Sequence, residues 1–138
     1  LKKSMGWEID FDMSLKDYFA SNKGIGILST ADEVGVVNSA VYATPHCMVD
    51  GTVAFIMRER RTHENMEKNP YACYLFIEQG KMEGKRIYLT KLREEKNSEL
   101  LFSLRRRCPK EEQEDAENLY LVFFRVDKIL PLIGYGGL

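Results

Sequence analysis

The side chains with most scope for chemistry stand close together in the middle of the chain. Arg58, Arg60 and Arg61 occupy three of four consecutive positions, and Thr62 follows them. Guanidinium forks ahead of the open amides of a helix make a seat for a phosphate or another anion. The donors expected there are Arg61, the Thr62 hydroxyl and the amides of His63 and Glu64. Taken alone, arginines beside a turn are more often solvated charge, and both readings stand at this point.

The elements around this turn can be read locally. Val53 to Met57 is an apolar, β-prone run. Thr62 is the expected N-cap of a helix with Glu64 in its first turn. That helix must be short, because Pro70 biases Asn69 away from helical geometry. Tyr71 to Ile77 then resumes as a buried strand. Arg58 and Arg60 would alternate in direction if the preceding strand ran on. His63, a single polar residue on a helix, is expected to face solvent.

Upstream, Ser14-Leu-Lys-Asp17 resembles a capping box, so a helix is expected over about 15–22 with Gly24 as its stop. Gly24 to Thr30 reads as a strand, and Asp32 to Gly35 as a turn. Val36 to Val49 reads as one long strand in which Pro45 demands an edge or a bulge. Asp50-Gly51 is the strongest hairpin signal in the chain. Downstream, Lys85 to Leu92 alternates as a half-exposed strand. Asn97 or Ser98 can cap a helix bearing Leu100, Leu101 and Leu104. Arg105, Arg106 and Arg107 close that helix, where they complement its dipole, and are not expected to bind an anion. Residues 110–117 form a charged loop, Leu119 to Val126 a strand, and Ile129 to Ile133 a shorter one. About seven strands in hairpin-like succession, with three short helices, predict an antiparallel β-barrel with peripheral helices.

Composition narrows the function. The 138 residues are 44% hydrophobic and 30% charged, which suits one folded domain spanning 1–138 with a core of its own. Twenty basic residues against 21 acidic ones exclude a broad nucleic-acid surface, so any anion binding must be local. Cys47, Cys73 and Cys108 are odd in number and widely spaced. With His46 and His63 they make no recognisable ligand set, and no metal site is expected. No run approaches membrane-spanning length, and the opening Leu-Lys-Lys-Ser-Met-Gly-Trp lacks a long apolar stretch, so a reducing, cytoplasmic setting is expected. No nucleophile elbow, phosphate-binding glycine loop or zinc signature is present, so no catalytic residue is assigned.

The order of these elements resembles the pyridoxamine 5′-phosphate oxidase-like proteins, which share the FMN-binding split β-barrel. The resemblance runs from the first helix to the last strand and is best over Asp50 to Ile77. There an Asp-Gly hairpin, a strand, a basic turn and a helix ending in Asn69-Pro70 precede an apolar strand. It implies that the turn and helix start hold the FMN phosphate, with the family's Arg-Lys or Lys-Thr pair falling on Arg61-Thr62. It places Asn38, Ser39, Ile56, Met57, Arg58, Arg61, Thr62 and Asn65 at the cofactor. It further implies a homodimer with the flavin between subunits and an oxidoreductase of unidentified substrate; the alternative is a flavin- or haem-binding carrier or electron-transfer module. The oxidase proper continues into a C-terminal segment whose Arg and His residues hold pyridoxamine phosphate. Ile129 to Leu138 contains no equivalent, so that activity is not expected. A bound flavin brings its own redox chemistry, which fits the absence of a catalytic constellation.

Overall fold

The computed structural model describes residues 15–105 and 118–134. The expected charged loop at 110–117, together with Arg106, Arg107 and Cys108, lies outside them. Helix α1 covers residues 15–21, as its capping pattern predicts. The strands are β1 (Gly24–Ala31), β2 (Val37–Val41), β3 (His46–Cys47), β4 (Val53–Arg58), β5 (Tyr71–Glu78), β6 (Gly84–Lys96) and β7 (Leu119–Pro131). Helix α2 (Arg61–Lys68) joins β4 to β5, and α3 (Glu99–Arg105) follows β6. All seven strands form one sheet in the order β2-β1-β5-β6-β7-β4-β3, with every pairing antiparallel.

The two ends of that order, β2 and the β3–β4 pair, do not hydrogen-bond to each other. Helix α2 packs against β1, β2 and β4, and so spans the seam between the ends. This is the mainly β antiparallel architecture expected from the hairpin succession, in the split-barrel form that the family resemblance implies. Inside, alternate residues of each strand meet: Leu28, Phe55, Met57, Tyr74, Phe76, Ile87, Leu89, Val122 and Phe124 are all buried in one cluster. Burying each such side chain contributes roughly 1.5–3 kcal/mol. Phe55 lies edge-on to Phe124 at 5.8 Å, and Phe19 of α1 edge-on to Phe76 at 5.3 Å. A second cluster lies on the other face, where Leu101 and Leu104 of α3 cover Ala54, Leu119, Leu121 and Phe123. Covered on both faces, β7 is buried without alternation from Leu119 to Phe124.

Three boundaries differ from the sequence reading. The long strand expected from Val36 to Val49 divides into β2 and β3, because Pro45 supplies no ladder donor. The strand expected at Lys85 to Leu92 runs on to Lys96. The two strands expected after residue 118 are one. The β6–β7 ladder carries on from Lys85 opposite Pro131 to Lys96 opposite Tyr120, with irregularities at Tyr88/Leu89 and Lys91/Arg93. The first of these skips Asp127 and so absorbs the polar Asp127-Lys128 step that looks like a break in the sequence. The cap of α3 is Ser98, whose Oγ accepts from the Leu101 amide at 3.1 Å. Asn97 takes a left-handed conformation at φ 48° and bonds Leu119 through both its backbone amide and its side-chain oxygen. Among the described residues no helix is long and apolar enough to cross a membrane.

Candidate functional site

A cavity of about 560 Å³ opens at the seam of the sheet. One wall is β2 and the residues after it, Asn38 to Thr44. The other is Phe55, Ile56 and Arg58 of β4, with His46 and Leu119 beside them. Arg60, Arg61 and Thr62 at the start of α2, and Arg105 of α3, complete the lining. Strand β3 pairs with Val53 and Ala54 alone, so Phe55, Ile56 and Met57 pair with β7 on one side only. Strand β2 likewise pairs only with β1. Both walls therefore present strand edges whose amides and carbonyls can meet a polar, planar ligand.

Position of the arginine turn follows from backbone geometry. Arg60 is the helix N-cap, in extended conformation and without a side-chain cap. The expected N-cap, Thr62, is instead the second helical residue and is buried. The Glu64 amide is already engaged by the Arg60 carbonyl at 2.9 Å. The first-turn donors are consequently the amides of Arg61, Thr62 and His63, one residue earlier than the sequence suggests. The Thr62 hydroxyl accepts from Asn38 Nδ2 at 3.5 Å, tying helix to β2 across the seam. Burial raises the Tyr42 phenol above its ordinary range, against a hydrogen bond to Thr62 and the charges of Arg60 and Arg58.

Tyr42 is held from behind. Its amide donates to the Gly26 carbonyl at 3.0 Å, and its carbonyl accepts from the Tyr74 hydroxyl at 3.0 Å. A Cβ on Gly26 would stand 1.9 Å from that hydroxyl, so only glycine fits. At the far end of α2, Asn69 donates from its side chain to the Asp32 carbonyl at 3.2 Å and accepts from the Tyr71 amide at 3.0 Å. The Asn-Pro pair thus pins the helix to the β1–β2 turn. That turn is stiffened by Asp32, whose carboxylate, lowered by backbone amide donors, caps Val34 and Val36.

Of the sequence-predicted site residues, Asn38, Ser39, Ile56, Arg58, Arg61 and Thr62 line the cavity. Met57 and Asn65 do not. Met57 alternates to the inner face of β4 and is fully buried in the core. Asn65 is buried under α2, donating to Thr30 Oγ1 at 3.0 Å, so it docks the helix on β1. Tyr42, Ala43, Thr44, His46, Phe55, Arg105 and Leu119 join the lining, though the sequence reading did not place them at the cofactor. Arg105, expected only as a helix-end charge, also lines the cavity. No local signal could have placed it; the packing of α3 on Leu119 and Leu121 does.

His63 departs from expectation as well. It is buried, stacked on Tyr120 with ring centroids 3.8 Å apart, and its Nε2 lies 3.0 Å from Glu94 Oε1. The long β6–β7 ladder brings Glu94 and Tyr120 up to the helix, which local reading could not foresee. Burial would raise the Glu94 carboxyl, but hydrogen bonds from Lys91 and His63 outweigh it and lower it. His63, Glu67 and Glu94 could in principle share a cation, their ligand atoms lying within 4.8 Å of one another. The Lys91 ammonium, 2.9 Å from Glu94 Oε1, already supplies the positive charge there, so the group reads as an ion-pair network.

No family model matches the sequence, and no curated protein matches it. Solved structures do resemble the chain. An FMN-binding protein from Syntrophomonas wolfei superposes with a TM-score of 0.75 at 19% identity, covering 94% of this chain and 93% of that one. General stress protein 26 from Bacillus anthracis gives 0.63 at 15% identity over 88% and 93%. A related protein from Clostridium acetobutylicum, described as of the pyridoxinephosphate oxidase family, gives 0.59 at 16% identity over 86% of each. The fold is that of the pyridoxamine 5′-phosphate oxidase-like split barrels. At these identities the likeness speaks for the split barrel alone, and the cavity must be judged on its own chemistry.

Proposed function

We propose that this split barrel binds FMN in the seam cavity and acts as a flavin-dependent oxidoreductase. The observation that carries the reading is the start of α2 in the cavity lining. Arg61 and Thr62, the first two residues of that helix, line the cavity, and a guanidinium, a hydroxyl and first-turn amides are a donor set suited to a phosphate monoester. The cavity volume of about 560 Å³ falls within the roughly 300–1,000 Å³ usual for small-ligand sites. Phe55, Ile56 and the exposed edges of β2 and β4 offer apolar faces and backbone partners to a ring system. When bound, the flavin would supply the redox chemistry, and the residues of this chain bind and orient it. That an FMN-binding protein superposes on the chain supports this choice of cofactor.

The reading includes a homodimer. Val34, Val36, Val37 and Val41 are 77%, 62%, 74% and 76% exposed on β2 and the turn before it, beside the cavity. Apolar surface gathered in this way marks an interface, and a second copy would cover both it and the open side of the cavity. Free Cys47 and Cys73 accord with a reducing, cytoplasmic setting. The test is the absorption spectrum of purified protein together with FMN titration and reduction by NAD(P)H or dithionite. Flavin bands that bleach reversibly are expected, in a dimer by sedimentation. A Soret band, or no uptake of FMN, refutes the cofactor. A flavin that dithionite reduces and no substrate reoxidises refutes the enzyme and leaves a carrier.

A further inference from the structure

His63 is a buried titratable residue that the flavin reading leaves without a task. Its amide is one of the open first-turn donors at the start of α2, and its side chain is held on the β6–β7 ladder. Tyr120 of β7 stacks on the imidazole with centroids 3.8 Å apart, and Glu94 Oε1 of β6 lies 3.0 Å from Nε2. The residue that offers the amide is thereby fixed through its own ring.

The charges around that ring do not balance. Glu94 on β6 and Glu67 on α2 bring carboxylate oxygens within 4.8 Å of an imidazole nitrogen. A single ammonium, Lys91 Nζ of β6, stands 2.9 Å from Glu94 Oε1. On β7 the facing group is the Tyr120 phenol, with Lys96 Nζ 5.7 Å from its ring centroid. Strands β1 and β2 carry no charged residue, and β4 carries only Arg58, which lines the cavity. With a neutral imidazole, two carboxylates therefore face one close ammonium behind the first turn of α2. That net negative charge opposes an anion at the helix start. A proton taken from solvent onto the imidazole cancels it, and the Glu94 carboxylate, 25% exposed, is placed to pair with the cation.

Resting on the FMN reading above, we propose that His63 is a positioning residue for the phosphate seat and couples proton uptake to anion binding there. Its ring holds the first turn on the ladder, and the charge it gains favours an anion at the helix start. By linkage, a bound anion favours the same proton. An oxyanion is thus held more tightly in mildly acidic than in mildly alkaline solution.

Sulfate is the probe, because it stays doubly charged where a phosphate monoester changes charge, at about pH 6. Flavin-free protein is titrated with sulfate at low ionic strength and followed by amide correlation spectra. The titrations are run at about pH 8 and about pH 6, either side of the ordinary imidazole range. The amides of Arg61, Thr62 and His63 should shift saturably, with an affinity roughly fivefold higher at the lower pH. His63→Gln, which keeps a polar side chain and cannot gain the charge, should bind with one affinity at both. His63→Phe, which keeps a ring against Tyr120, serves if that variant does not fold. The other histidine of the chain, His46, lines the same cavity, so His46→Gln must retain the rise. A rise that survives the His63 changes leaves packing as their whole effect and overturns the proposal. A rise lost in His46→Gln, or none in wild type, overturns it as well, and so does sulfate that shifts none of the three amides. Failure of wild type to take up FMN would refute the proposed function while the sulfate titration of flavin-free protein still decides this inference.

Discussion

Replacing Arg61 with alanine probes the phosphate seat most directly. Arg61 is the first residue of α2 and its side chain is exposed. Its contact with a bound phosphate would be charge-assisted but partly solvated, which points to the low end of the range for charged hydrogen bonds, about 1.5 kcal/mol. That corresponds to a loss in FMN affinity of roughly tenfold, since about 1.4 kcal/mol is one decade. The fold should survive, because no core contact is removed. Riboflavin, which lacks the phosphate, should bind wild type and Arg61→Ala equally. The difference in FMN affinity should also shrink in high salt, because the screening length falls from about 10 Å at 0.1 M to about 3 Å at 1 M. Flavin fluorescence titrations with both ligands at two ionic strengths measure all of this. Equal FMN affinities in the two proteins would refute the placement of the phosphate. An equal loss for riboflavin would show that Arg61 acts through the fold.

Further outcomes follow from the packing and the ion pairs. Gly26→Ala places a methyl within 1.9 Å of the Tyr74 hydroxyl, so thermal unfolding should show a destabilisation of about 1–3 kcal/mol and FMN binding should weaken with the displaced Tyr42. Phe124→Ala empties a fully buried site between Phe55 and the rest of the core, and denaturant titration should report a loss of about 3–5 kcal/mol. The Glu94 carboxyl is lowered from its ordinary 4.5, so its contribution is present above that pH and is lost as pH falls through the depressed range. Glu94→Gln should therefore flatten the acid limb of the stability profile, and an unchanged limb would show that the His63–Glu94–Lys91 network contributes nothing.

Much of the site was legible because its signals are local. The Asp50-Gly51 hairpin, the apolar run into β4, the arginine turn and the Asn69-Pro70 stop all lie within one stretch. Each is governed by the φ/ψ limits and side-chain chemistry of adjacent residues. The antiparallel succession of the strands followed from the same turns, whereas the count of seven came out only because one expected strand divides into β2 and β3 and two merge into β7. Alternation along β4 is local in its period but not in its phase. Nothing within Val53 to Arg58 says which face is inner, and the pairing with β7 decides it, sending Met57 into the core and Ile56 to the cavity.

Where the reading failed, the partner was distant in the chain. Asn65 finds Thr30, His63 finds Glu94 and Tyr120, and Arg105 lines the same cavity as Arg58. The sequence by itself determined an antiparallel barrel and a short helix opened by arginines, because propensity, capping and turn chemistry act over a few residues. Only the tertiary structure decided which polar side chains dock that helix and which face the cavity. A polar group reads the same in sequence whether water or a buried partner satisfies it, and the sheet register chooses between them.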